Sequence, residues 1–550
     1  MLLCNIYTPI IARLGAVVNQ FEKNERKFEI YMRKGFLKIF TCLLFLIFSL
    51  GVFAACDTGS GLEYEKQDNG YKVVGIGEYE DAVLVIPETY KGKPVVAIGA
   101  EAFTKNKEIG FLEIPDSVTV IEDKAFASCT RLEGVTMGNG VTTIGKEAFA
   151  YCDSLKSITF SNSLTKIDDR AFYTCRKLQA ISFPDSLETI GKSAFAGASD
   201  REVHNSLQTV NFGKGLKNIG ENAFLNCANL LDVIIPDGAP TVIAKGAFMN
   251  CSRLRIVDLG DNVLSIGELA FSADDTEEGG GLRLREAIIG NKVHTIGASA
   301  FYGCRKMSTV TLGKGLQNIG ERAFYKCQVL REVVNDSNLL IDAGSEEYGL
   351  VAQNAWDVHD SNVPRKISHD EQGLVYYNEG SKKILISVIL NDSTDIVIPD
   401  DVTEIAEYAC YNEQMLTGVV VGNGCTKIGS KAFGNCYNIR TLDLSGASLT
   451  TIEENAFYNN AAIYSVILGT SVQSVGTGAF RKKEGWDGFK EYRMYYLGTP
   501  EQWQQIQWGD NNLNWFERNG AKYGFYSEEQ PTDSTKLYWR YVADYPRYWD

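Results

Sequence analysis

Leu155, Ile158 and Phe160 stand at L-x-x-I-x-F spacing, with Ser157 and Thr159 between the apolar positions. Alternation with a period of two predicts a short half-buried strand, with Ile158 and Phe160 turned inward and Ser157 and Thr159 outward. A corner follows, written Pro184-Asp185-Ser186, Gly138-Asn139-Gly140 or Gly313-Lys314-Gly315 in different places. These residue types supply the unusual backbone angles of tight corners. A second apolar pass, Leu164 and Ile167, leads to Ala171-Phe172. The chain is thus expected to coil back on itself once per unit.

The Ala-Phe pair makes the period measurable. Its phenylalanines are Phe103, Phe126, Phe149, Phe172, Phe195, Phe224, Phe248, Phe271, Phe301, Phe324, Phe433, Phe457 and Phe480, mostly 23 residues apart. Ala409-Cys410 is a degenerate copy, giving fourteen units. A fixed period of roughly 20 to 30 residues marks a solenoid, in which each unit buries its apolar face against its neighbours. The expected fold is an α/β-type repeat solenoid, mostly short β-strands and turns, of about fourteen 23-residue units. Its 550 residues exceed one globular core but suit a core that grows with repeat number.

The full unit, I-G-x-x-A-F-x-x-C-x-x-L-x-x-[IV]-x-[FIL]-P-x-[SG]-[VL], resembles the BspA-type leucine-rich-repeat family of surface proteins over roughly residues 75–334 and 396–480. The resemblance implies a right-handed leucine-rich-repeat solenoid and a non-catalytic, adhesin-like role at a cell surface. One departure is that no Asn occupies a fixed place after the strand. The Cys three residues after the Phe stands in for it.

Residues outside the repeats set the expected address. Met32-Arg33-Lys34 and the apolar run 39–55 read as an export signal over 32–55. It ends in Phe53-Ala54-Ala55-Cys56, which resembles a bacterial lipobox with Phe where Leu is usual. On this reading Cys56 is lipidated, anchoring the exported chain to the membrane at the cell surface, and residues 1–31 are an upstream extension. The alternative is an uncleaved apolar helix that spans the bilayer. Residues 56–70 read as a tether, 71–98 as an N-terminal cap and 99–334 as repeats, with insertions at 197–206 and 272–281 on one edge. Residues 335–395 interrupt the array, and Gly373-Leu-Val-Tyr-Tyr with Lys383-Ile-Leu-Ile reads as a β-hairpin inside that break. Repeats resume over 396–485, and 486–550 reads as an aromatic-rich C-terminal cap and tail.

A net charge of −15 argues against nucleic acid as a partner. Four histidines without ligand spacing, and the lack of any nucleophile or phosphate-loop motif, point to no catalysis, no metal and no cofactor. Cys129, Cys152, Cys175, Cys227, Cys251, Cys304, Cys327 and Cys436 follow the repeat Phe by three and stack at about one strand spacing. They read as small buried thiols rather than disulfides, because stacked side chains point in parallel. The acidic run 274–278 reads as a solvated loop rather than a calcium site. The terminal tryptophans, Trp503, Trp508, Trp515, Trp539 and Trp549, read as a cover for the last strand edge rather than a sugar platform.

The candidate ligand-binding residues are the outward strand positions of the concave face: Thr136, Ser157, Thr159, Ser182, Thr209, Asn211, Thr309, Thr311 and Thr441. Small hydroxyl residues leave a flat surface of donors and acceptors, suited to an extracellular protein or glycan. Thr and Ser also favour exposed strands without binding anything. The rival function is a structural spacer projecting the C-terminal region from the membrane.

Overall fold

The computed structural model describes residues 61–198, 205–273, 283–388, 390, 394–446, 448–481, 493–512, 522–529, 537–542 and 545–548. Cys56, the export segment and the acidic run 274–278 lie outside the described residues. The chain is a β-solenoid of about 17 turns with almost no helix. The fourteen expected units are those that carry the Ala-Phe signature or its Ala409-Cys410 copy, and turns without it extend the array.

Each unit makes two strands. The first strands, among them Gly134–Met137 and Ser157–Thr159, pair in parallel and in register, Ile158 opposite Val135. The second strands are two or three residues long in most units, and Ile144, Ile167 and Ile190 stack in succession. Together with the terminal hairpin these build a 13-stranded sheet from Glu63–Gln67 to Asn318–Ile319. Equivalent residues stack because the units are alike, so every rung offers its neighbour the same apolar surface.

The Ala-Phe segment closes each turn without forming a helix. Lys124, Phe126 and Ser128 donate their backbone N–H groups to the carbonyls of Lys146, Ala148 and Ala150 in the next unit, at 2.7 to 2.8 Å. This alternate-residue ladder needs positive φ two residues before and two after the Phe, as at Lys124 (56°), Ser128 (61°), Glu147 (56°) and Tyr151 (63°). Inside, Phe103 to Phe324 form one continuous stack, with ring centroids 4.9 to 5.4 Å apart and planes within 11° of parallel. Phe433, Phe457 and Phe480 form a second stack.

The corner glycines have a different reason from the one expected. Gly138 and Gly140 do not have positive φ. A Cβ on Gly140 would instead sit 1.9 Å from the carbonyl oxygen of Asp116 in the preceding unit. The close stacking of corners excludes a side chain there. The same corner is tied by Asp116, whose Oδ1 accepts the backbone N–H of Asn139 at 2.6 Å.

Three segments differ from the expected boundaries. From residue 63 the presumed tether is strand Glu63–Gln67, antiparallel to Gly70–Gly75, and Tyr64 stacks on Tyr90 over the open end of the first array. Within the interruption, Tyr348–Leu350 forms a 3₁₀ turn where Phe324 donates to the Gly349 carbonyl, and Asp357–His359 adds a parallel strand to Glu332–Asn335. The hairpin is as expected, Leu374–Glu379 pairing antiparallel with Lys382–Val388, which then starts the second array beside Glu404–Ile405. At the C-terminus, Arg493–Tyr496 and Lys522–Tyr526 continue the parallel sheet, so this region adds rungs where an aromatic tail was expected. Trp539 is fully buried and donates its indole N–H to the Tyr496 carbonyl at 3.1 Å. Tyr538–Val542 turns back antiparallel against Tyr545–Tyr548 and ends the sheet.

Candidate functional site

The outward positions of the first strands form columns because in-register pairing brings equivalent residues side by side. Thr136 lies beside Thr159, and Ser157 beside Gly134. Ser182 pairs with Asn211 and Ala180 with Thr209, in strands that follow on from Ser157–Thr159. All six of the residues Thr136, Ser157, Thr159, Ser182, Thr209 and Asn211 are exposed. Asn211 donates to the Ser182 hydroxyl at 2.9 Å, which links neighbouring rungs on the surface.

The remaining three candidates stand elsewhere. Thr441 is exposed but belongs to the second array, beside Gly418 and Ser465. Thr309 is only 3 % exposed and Thr311 is half-buried, so the expected exposed column ends before them. The chain leaving strand Asp357–His359 crosses this end of the face. Arg365 donates to Glu286 Oε1 at 2.7 Å and to Thr311 Oγ1 at 3.3 Å. Beneath the crossing, Glu332 is fully buried and accepts from Thr309 Oγ1 and the Lys366 backbone N–H, with His359 Nε2 3.5 Å away. A buried carboxylate is tolerated because several donors surround it.

Apolar residues on the same face extend it beyond the hydroxyl column. Ile234 is 55 % exposed and Ile256 40 % exposed, flanked by the half-buried carboxylates of Asp232 and Asp258. On the second array Val397 and Val420 are exposed in the same way, next to Asp395 and Asp443. Ile234 is not among the residues expected from the sequence, although Asp232-Val233-Ile234 aligns with Ser157-Ile158-Thr159, one inward residue between two outward ones. Hydroxyls, exposed isoleucines and carboxylates together make this a mixed polar and apolar surface.

The cysteine ladder is a structural device. Cys129, Cys152 and Cys175 are free and buried, and their thiols donate to the carbonyls of Phe103, Phe126 and Phe149 at 3.1 to 3.2 Å. Cys227, Cys251, Cys304 and Cys327 repeat the contact with Phe195, Phe224, Phe271 and Phe301. Asn460, at the same place in its unit, donates to the Phe433 carbonyl at 2.8 Å. Burial pushes the Cys129 thiol up to about 12 and Cys425 to about 11, far from the range of a reactive nucleophile. Among the described residues no group of three His, Cys, Asp or Glu side chains is placed to hold a metal ion. No helix among them is long and apolar enough to cross a membrane.

A family model described as the BspA type leucine rich repeat region matches residues 96–205, 201–278, 280–344 and 390–485. This chain belongs to the BspA-type leucine-rich-repeat family. Its gap between 344 and 390 coincides with the crossing segment and the hairpin. Among solved structures, a leucine-rich repeat protein from Bacteroides ovatus is similar at 21% identity, covering 84% of this chain and 98% of its own, with a TM-score of 0.41. A leucine rich cell surface protein from Faecalibacterium prausnitzii is similar at 19% identity, covering 84% and 98%, with a TM-score of 0.29. The T. pallidum leucine rich repeat protein is similar at 22% identity over 46% of this chain and 89% of its own, with a TM-score of 0.30. No curated protein matches the chain. In this BspA-type chain the Cys thiol of one unit bonds the Phe carbonyl of the unit before it, a contact that the sequence reading of small buried thiols did not include.

Proposed function

We propose that this BspA-type chain is a non-catalytic surface protein that binds an extracellular protein or glycan across the outward strand face of its first array. The observation that supports this most is the series of exposed outward residues from Thr136 to Ile256, where hydroxyls give way to Ile234 and Ile256. A partner laid along the rungs would meet hydrogen-bonding groups and then an apolar patch, without needing a deep pocket. Under the same proposal the chain is exported and held at the membrane by a lipid on Cys56.

The test is a binding screen of the full chain against matrix-protein and glycan arrays, beside a Thr136→Lys, Thr159→Lys double variant. Both threonines are exposed, so the variant leaves the core intact. Binding that falls at least tenfold in the variant supports the face. Binding unchanged in the variant, or no binding by either chain, removes it. Loss of surface retention in a Cys56→Ala chain checks the anchor separately.

A further inference from the structure

Along the edge between the Cys column and the first strand, charged side chains pair with opposite charges on the neighbouring rung. Arg131 pairs with Glu108, Lys156 with Glu133 at 2.7 Å, Arg176 with Asp153 and Arg255 with Asp232 at 3.2 Å. Arg283 and Arg285 precede strand Glu286–Ile289, and Arg305 and Lys306 precede Thr309–Leu312, which puts four cations on adjacent rungs of a chain whose net charge is −15.

These side chains face the degenerate Ala409-Cys410 unit of the second array across a cavity of about 80 Å³. Tyr411 and Glu413 line the opposite wall. Among the described lining residues Glu413 is the only carboxylate, and it is buried. Its Oε2 lies 3.8 Å from Lys306 Nζ, too far for a hydrogen bond, and the buried Lys306 ammonium bonds to no protein group among the described residues. Desolvation and the neighbouring Arg255 pull the Arg285 guanidinium down to about 10. A buried ammonium without a hydrogen-bond partner, among like charges, is a costly arrangement for the empty protein. It becomes favourable when an anion fills the space.

We propose that this seam between the arrays is an oxyanion site, taking the carboxylate, sulfate or phosphate group of a small ligand or of an acidic saccharide. Guanidinium forks match the paired oxygens of all three groups, and Lys306 adds a point charge. The volume holds several waters or one such group, so the site grips an acidic head and leaves the body of a larger molecule outside. The site is separate from the strand face. The Thr136→Lys, Thr159→Lys chain should bind anions like the unmodified one.

The test is isothermal titration of the full chain with sodium sulfate, sodium phosphate, N-acetylneuraminic acid and uncharged N-acetylglucosamine. Expected is saturable one-site binding of at least one anion, weakened at least tenfold in Arg285→Gln and falling with added sodium chloride. Glu413→Gln removes the carboxylate that opposes the ligand and should tighten binding several-fold, a gain that a misfolded chain cannot produce. Lys156→Gln, on the same edge but outside the cavity, should change nothing. Tighter sulfate and phosphate than N-acetylneuraminic acid assigns the site to inorganic or ester oxyanions, and the reverse assigns it to carboxylate sugars. No saturable binding of any anion, equal binding of N-acetylglucosamine, or indifference to both Arg285→Gln and Glu413→Gln overturns the proposal.

Discussion

The Cys ladder shows how one side chain per unit can set the stacking of a whole array. The Phe126 carbonyl accepts two bonds, from the Cys129 backbone N–H in its own unit at 3.2 Å and from the Cys152 thiol in the next at 3.2 Å. The second bond crosses between units, so losing it weakens their interface rather than the unit. Cys152→Ser keeps a donor at this place and Cys152→Ala does not, while both lose the sulfur's volume. The serine variant should therefore be the more stable by about 1 kcal/mol in urea unfolding, and equal midpoints would remove the hydrogen bond from the account. The same thiols predict alkaline sensitivity. Burial raises Cys129 and Cys436 to about 12, against an ordinary thiol near 9. The folded chain keeps these protons while the unfolded chain releases them, so stability falls as pH rises from about 9 towards 12. Each such thiol contributes a slope of up to about 1.4 kcal/mol per pH unit in that window. Urea midpoints at pH 8 and pH 10, roughly, should diverge less in Cys129→Ala than in the unmodified chain.

At the scale of strands and connections, the sequence was legible wherever the repeat signature was intact. Ser157–Thr159 with its outward Ser157 and Thr159, the Phe stack and the hairpin Leu374–Glu379 with Lys382–Val388 all follow from alternation and turn residues. The misplaced Thr309 and Thr311 have a physical reason: alternation tells which side a residue faces, and says nothing about what later crosses that side. Arg365 lies 54 residues beyond Thr311, and no local pattern reports their contact. Likewise the rungs at 348–359 and 493–526 lack Ala-Phe, and only parallel pairing with an existing strand identifies them. The crossing itself can be tested by thiol labelling, because the described native cysteines are buried. A cysteine placed by Thr159→Cys should label quickly. One placed by Thr311→Cys should label slowly, and several-fold faster once Arg365→Ala is added. Since the Arg365–Glu286 pair is partly exposed, that removal should lower stability by no more than about 1 kcal/mol. Equal labelling of Thr311→Cys with and without Arg365 would show that the crossing does not cover the face.

Across the whole molecule the apolar core is divided. One cluster runs from Leu62 to Ala355 and a second from Leu374 to Phe525. In a solenoid each unit is stabilised by its neighbours alone, so damage at one end propagates only as far as the packing is continuous. The Phe stack breaks between Phe324 and Phe433, where Cys410 replaces the ring, and the Lys306–Glu413 ion pair spans the division. Trp539 closes the far end of the second cluster, packing edge-on against Tyr495 and bonded to the Tyr496 carbonyl. Trp539→Ala should cost about 3–5 kcal/mol locally, by the cavity it leaves and the strand edge it uncovers. The loss should appear as a lowered transition for the second array while the first is unchanged. In hydrogen exchange, amides of strands Thr441–Leu444, Ser465–Leu468 and Arg493–Tyr496 should lose protection, and those of Gly134–Met137 and Thr209–Asn211 should keep it. Uniform loss across all five strands would mean that the bridge couples the arrays into one cooperative unit. In that case an anion bound at the Lys306 seam should raise the stability of both arrays together, by the mass-action term its affinity allows.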